Sequence, residues 1–158
     1  MNRSQLIEEY GKAGTDLRMA VRGLERDDLI AYPVPGTWSI QEIIIHITDS
    51  DLIVADRMKR VIAEENPTLT GFNEAHFARN LFYNEQSAED AVTIVELNRR
   101  NFARVLAKLP DGAFDRTGMH TERGPMKLID LLEGSVKHLK HHLNFIVDKR
   151  KKLGKMMG

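Results

Sequence analysis

The chain has 158 residues, with 23 lysines and arginines against 23 aspartates and glutamates, six histidines and no cysteine. That length suits one domain over 1–158, which buries about 70% of its unfolded surface and folds without disulfides. The missing cysteine excludes thiolate zinc sites, iron-sulfur clusters and cysteine nucleophiles, and the zero net charge argues against a dedicated nucleic-acid binder, which needs surplus positive charge on the domain or on one face.

The first predicted element is a helix over about 4–24, where Leu6, Tyr10, Ala13, Leu17, Val21 and Leu24 recur at three and four residue steps. Pro33, Pro35 and Gly36 then forbid continuation. A second helix starts at the capping box Ser39-Ile40-Gln41-Glu42, with Trp38 and Ile43 placed as a hydrophobic staple, and runs to about Glu65. From 67 to 86 no period is sustained, and a connection of that length is usually functional or holds a short helix. A third helix spans about Ser87 to Leu109 on the stripe Val92, Val95, Phe102, Val105, Leu106 and Leu109. The fourth follows Gly124-Pro125 from Met126 to about Leu153, on Leu128, Leu132, Val136, Leu139, Leu143 and Ile146. Its closing run Lys149-Arg150-Lys151-Lys152 reads as solvated cations that complement the helix dipole. No strand pair joined by a tight turn is read. The fold class expected is all-α, a four-helix bundle with long crossover connections.

Apolar runs such as Ile43-Ile44-Ile45 and Leu52-Ile53-Val54-Ala55 fall far short of the roughly 20 residues of a membrane span, and the N-terminus does not read as a signal peptide. A soluble, cytoplasmic protein without membrane partners is the expectation.

The chemistry centres on histidine. His138 and His142 are four apart in the fourth helix, which sets their Cβ atoms about 5 to 6 Å apart on one face. Composition alone would yield about 0.2 such pairs, so position gives the pair its weight: it lies beside the apolar stripe rather than on a polar face. His46 stands in the apolar turn Ile43-Ile44-Ile45-His46-Ile47, and inward residues of two facing helices meet in a bundle core. Three neutral imidazoles at about 2.0 to 2.1 Å per bond can hold a divalent transition metal and leave it an open position. Zinc or nickel is favoured, with iron, manganese or copper compatible by ligand type. Asp49, three residues after His46, can orient an imidazole or bind the metal itself, and otherwise reads with Asp51 and Asp56 as a solvated helix aspartate. His141 can replace a neighbour as ligand. His76 and Tyr83 fall in the long connection, where a lid over the bundle mouth would sit, and with Asp49 they are the candidate catalytic residues, the other reading of His76 and Tyr83 being surface loop residues. Glu-x-x-His pairs, His-Glu-x-x-His, Gly-x-Ser-x-Gly and a glycine-rich phosphate loop are all absent.

Pro35-Gly36-Thr37-Trp38-Ser39-Ile40 with Glu42 and His46, Gly71-Phe72-Asn73-Glu74, Arg100, and His138-Leu139-Lys140-His141-His142 together resemble the DinB-like superfamily, which includes bacillithiol transferases and mycothiol-dependent maleylpyruvate isomerases. The similarity spans nearly the whole chain. It implies an up-up-down-down type of bundle, a divalent metal on three histidines, here His46, His138 and His142, and a homodimer. Phe145 departs from the pattern, since many relatives carry glutamine there.

The function expected is that of a metal-dependent enzyme on a small-molecule substrate, either a transferase that activates a low-molecular-weight thiol or a related hydrolase. A non-catalytic metal- or ligand-binding stress-response dimer is the other reading. A homodimer is also expected from apolar residues taken as exposed near Met58, Val61 and Ile62.

Overall fold

The structure, a computed structural model, describes residues 1–157. Four long helices form the bundle: α1 (Arg3–Val21), α3 (Ile40–Ala63), α5 (Ala88–Leu106) and α6 (Leu128–Lys152). Between them lie two short helices, α2 (Arg26–Ile30) and α4 (Glu74–Asn80), two 3-10 turns, and three strands, β1 (Thr68–Leu69), β2 (Thr117–His120) and β3 (Gly124–Lys127).

Each long helix begins where local chemistry favours it. Ser39 accepts from the Glu42 N–H while the Glu42 carboxylate accepts from the Ser39 N–H, so the capping box is formed. Ser87 caps α5 by accepting from the Asp90 N–H. The fourth helix starts at Leu128 rather than Met126, because Gly124–Lys127 pairs with Thr117–His120 instead. That hairpin corrects the expectation of no strand pair: its turn is the three residues Thr121, Glu122 and Arg123, followed by Gly124 at φ +76°. Strand β1 adds in parallel on the other side of β2, with Leu69 opposite His120.

In cross-section α1 and α3 lie on one diagonal, and each packs on both α5 and α6. Contacts along the helices give their directions. Gly14 meets Glu96 while Arg18 meets Glu89, so α1 and α5 run antiparallel. Glu9 pairs with Lys140 while Arg150 reaches the Ala20 carbonyl, so α1 and α6 run parallel. Thr48 bonds the Ala91 carbonyl while Asp51 meets Arg99, so α3 and α5 run parallel. The order is therefore up-down-down-up, a correction to the up-up-down-down form. The parallel α3–α5 pair explains the long segment 64–87: the chain must return the length of the bundle before α5 can begin. A Cβ at Gly14 would lie 2.5 Å from the Glu96 Cα, so glycine lets α1 and α5 approach this closely.

The apolar core has two halves. One gathers Leu17, Ile40, Ile44, Val95, Leu139 and Ile146, and the other Tyr10, Met58, Phe102, Phe114, Leu128 and Leu132. Buried polar groups separate them at mid-bundle: Asp51 and Arg99 form a 2.6 Å ion pair, and Arg99 also bonds Ser135. Asp51, at 3% exposure, is thus not the solvated aspartate expected, because its register faces α5. Within α5 the buried arginine is Arg99, whereas Arg100 is exposed.

Two further expectations are corrected. Met58 and Val61 are fully buried in the second core half and Ile62 is partly buried there, so they offer no exposed apolar face for a dimer. Lys149 and Arg150 are buried rather than solvated. Arg150 donates to the Ala20 and Arg22 carbonyls at the end of α1, and the Lys149 ammonium donates to the Thr37 hydroxyl at 2.5 Å. Among the described residues no helix is long and apolar enough to cross a membrane.

Candidate metal centre

The antiparallel α3–α6 pair brings His46 against His138 and His142. Their Nε2 atoms converge: His46 and His142 each stand 3.1 Å from His138, and ligand atoms of all three lie within 4.8 Å of one another. Two imidazole nitrogens on one tetrahedral ion are about 3.3 Å apart at ordinary zinc–nitrogen lengths, so the spacing suits a shared ion after small adjustment. His46 is fully buried, while His138 and His142 are half-buried. Burial holds each imidazole's pKa down to about 4, with the neighbouring histidines adding to the effect. All three are therefore neutral near pH 7, the form that donates a lone pair to a metal. The donor set fits the implied divalent ion.

The outward nitrogens are unusual. His46 Nδ1 and His142 Nδ1 are buried without a hydrogen-bond partner, whereas metal-bound histidines commonly donate through that nitrogen. Ring orientation rests on aromatic packing instead: Trp38 lies 4.8 Å from His46, and Phe145 lies 6.0 Å from His142. His141 is exposed and its ring packs 5.3 Å from that of His142, outside the cluster, so it replaces no member.

The candidate catalytic residues lie in two different settings. The Tyr83 hydroxyl donates to Asp49 Oδ2 at 2.5 Å, tying the connection to α3. Burial and this bond raise the Tyr83 pKa well above its ordinary value, so the phenol stays a donor. His76 is exposed on α4. None of the three lines the cavity described next.

His46 and His138 lie on the wall of a cavity of about 440 Å³. The carboxylate aimed at the histidines is that of Glu74, whose Oε2 lies 3.6 Å from His46 Nε2. Asn73 caps α4 by accepting from the His76 N–H, which fixes Glu74 at the first helical position. Asp51, Arg57, Arg99 and His120 line the same cavity. Sequence reasoning missed all five as site residues. For Asp51 and Arg99 a signal existed: Arg99 continues the stripe Val92, Val95, Phe102 and Leu106, and Asp51 continues Ile44, Ile47, Ala55 and Met58. Glu74, Arg57 and His120 carry no comparable local signal.

The profile of the DinB superfamily matches residues 9–146. A protein of Oceanobacillus iheyensis named "putative metal-dependent hydrolase" is 28% identical over 130 residues, covering 82% of this chain and 75% of that one. A Bacillus cereus protein of the same name is 24% identical over 147 residues, covering 93% and 84%. Among solved structures, YfiT from Bacillus subtilis, described as a probable metal-dependent hydrolase with an unusual four-helix bundle topology, superposes with a TM-score of 0.90. It is 19% identical over 98% of this chain and 90% of its own, a likeness of fold. With most of its length matched by the family profile, the chain belongs to the DinB superfamily.

Proposed function

We propose that the chain is a metal-dependent enzyme acting on a small molecule, with His46, His138 and His142 holding one divalent transition metal. The observation that carries this reading is the convergence of three neutral Nε2 donors, those of His46 and His138 on the wall of a cavity large enough for a small substrate. A bound divalent ion supplies Lewis-acid charge, polarising a substrate oxygen and acidifying a nucleophile beside it. Glu74 Oε2 is the acceptor placed to take the nucleophile's proton. Asp49 and Tyr83 hold the connection against α3 and so position Glu74 rather than touch the substrate.

Hydrolysis is the reaction that the names of the relatives support. Transfer of a low-molecular-weight thiol uses the same parts with a different nucleophile, and a chain without cysteine would take that thiol from a cosubstrate. The open approach to the histidines favours an enzyme over a non-catalytic module, whose site would be sealed by aliphatic side chains. Zinc or nickel suits the imidazole set. A homodimer belongs to this reading through family kinship, and light scattering showing a monomer at high micromolar concentration would remove it.

The test is a metal-loaded assay over ester, amide and electrophile panels, with and without added thiols, beside His142→Ala. Turnover that vanishes with chelator and in the variant supports the enzyme. Turnover without thiol assigns hydrolysis, and strict dependence on thiol assigns transfer.

A further inference from the structure

The cavity shared by His46 and His138 has a second polar feature that the metal chemistry does not use. Arg99 donates through Nε to Asp51 at 2.6 Å and through Nη2 to the Ser135 carbonyl and hydroxyl at 3.2 and 3.0 Å, while its Nη1 is buried without a partner. Arg57 donates through Nη2 to the Thr70 carbonyl at 2.6 Å, and its Nε is likewise buried without a partner. Both side chains are more than nine-tenths buried and both line the cavity. Buried donors without partners are rare in folded proteins, and a guanidinium donor left so is costly. Two of them on one cavity is a signal of a ligand rather than of packing.

His120 adds a third donor. Its Nδ1 accepts from the Glu122 and Arg123 N–H groups at 3.1 and 3.2 Å, so the neutral ring carries its proton on Nε2. Burial and the nearby Arg57 and Arg123 lower its pKa, which keeps it neutral near pH 7. It too lines the cavity.

The geometry points to a carboxylate subsite formed by Arg57, Arg99 and His120, so that the substrate is a small carboxylic acid whose reactive group lies toward the histidines. Planar guanidinium donors match carboxylate oxygens. Phosphate matches them equally well, but the lining decides between the two. Apart from the subsite's own groups and the Asp51 that pairs with Arg99, the lining carries one cation, Arg123, against the three carboxylates Glu74, Glu122 and Asp130, so a dianion meets more repulsion than a monoanion. The acceptors already present do not quench the donors: Asp51 spends its oxygens on Arg99 and Asn98, and Asp130 accepts from the Lys127 N–H.

This assignment deepens the enzyme reading and rests on it for the word substrate, but the subsite itself does not need the metal. The test is therefore calorimetric titration of chelator-treated, metal-free protein at constant ionic strength. The probes are benzoate and propionate, with benzamide and inorganic phosphate as comparisons. Saturable binding of a carboxylate, absent for benzamide and weaker for phosphate, is expected. Arg57→Lys, which keeps the charge and removes the Nε donor, should weaken that binding about tenfold or more. Arg99→Lys should do the same, with circular dichroism establishing that each variant is folded. No saturable carboxylate binding by the folded wild type, unchanged affinity in both folded variants, or tighter binding of phosphate would each overturn the assignment. Carboxylate binding in a protein that takes up no metal would leave the subsite standing and the metal reading refuted.

Discussion

Glu74 Oε2 lies 3.6 Å from His46 Nε2, although the two residues belong to different helices and Glu74 stands at the exposed start of a seven-residue one. Only the return path of the chain from α3 to α5 brings them together. If Glu74 takes the nucleophile's proton, Glu74→Gln lowers kcat by about 10²- to 10⁴-fold, the usual contribution of general-base catalysis. Metal content, measured by elemental analysis, stays unchanged. A variant that keeps its rate contradicts the role, and one that loses its metal makes Glu74 a ligand instead.

Asp51 and Arg99 divide the two halves of the core as a buried pair. Asp51→Ala leaves the Arg99 cation without its partner, and the expected loss of stability is about 3–5 kcal/mol by urea denaturation. A loss below about 1 kcal/mol would mean that the pair is not buried in solution.

Tyr83→Phe removes the bond to Asp49 while keeping the ring in the core. The expected cost is about 2 kcal/mol, the range for a hydrogen bond to a charged group. Metal affinity is expected to stay within a few-fold of the wild type. A collapse of metal affinity would place Asp49 in direct support of His46.

The four long helices and the histidine cluster were legible because both are governed by short-range spacing. Apolar residues at three and four residue steps marked the helices, and His138 and His142 share one face by the same rule. The strands were not legible for the opposite reason. Thr68–Leu69 is too short to show alternation, and its partner Met119–His120 lies some fifty residues away. His120 and Glu74 owe their places to that sheet and to the α3–α5 return, so no local pattern announces them. Asp51 and Arg99 differ again: they sit in apolar stripes, and a charge in such a stripe foretells a buried pair even though neither partner names the other.

The histidine pKa values set a pH window. His46, His138 and His142 titrate near 4 in the folded chain, whereas an unperturbed histidine does so near 6.5. Between these values the unfolded state binds more protons, so stability rises with pH across the window and is lost as pH falls from about 6.5 toward 4. Metal-free protein should melt more than about 5 °C lower at pH 5 than at pH 7.5. Metal-loaded protein should lose more, because protons also displace the ion. Equal melting temperatures at the two pH values without metal would mean that the histidines are not buried as neutral groups.

The central claim is that His46, His138 and His142 hold one ion between α3 and α6. The most direct measurement is elemental analysis of protein dialysed against zinc or nickel and freed of excess, for the wild type, His46→Ala, His138→Ala and His142→Ala. About one ion per chain is expected in the wild type and well under a half in each variant, with every variant still helical by circular dichroism, since the two apolar core halves do not depend on the site. Metal content unchanged in His138→Ala and His142→Ala, or a folded wild type that retains none, would contradict it.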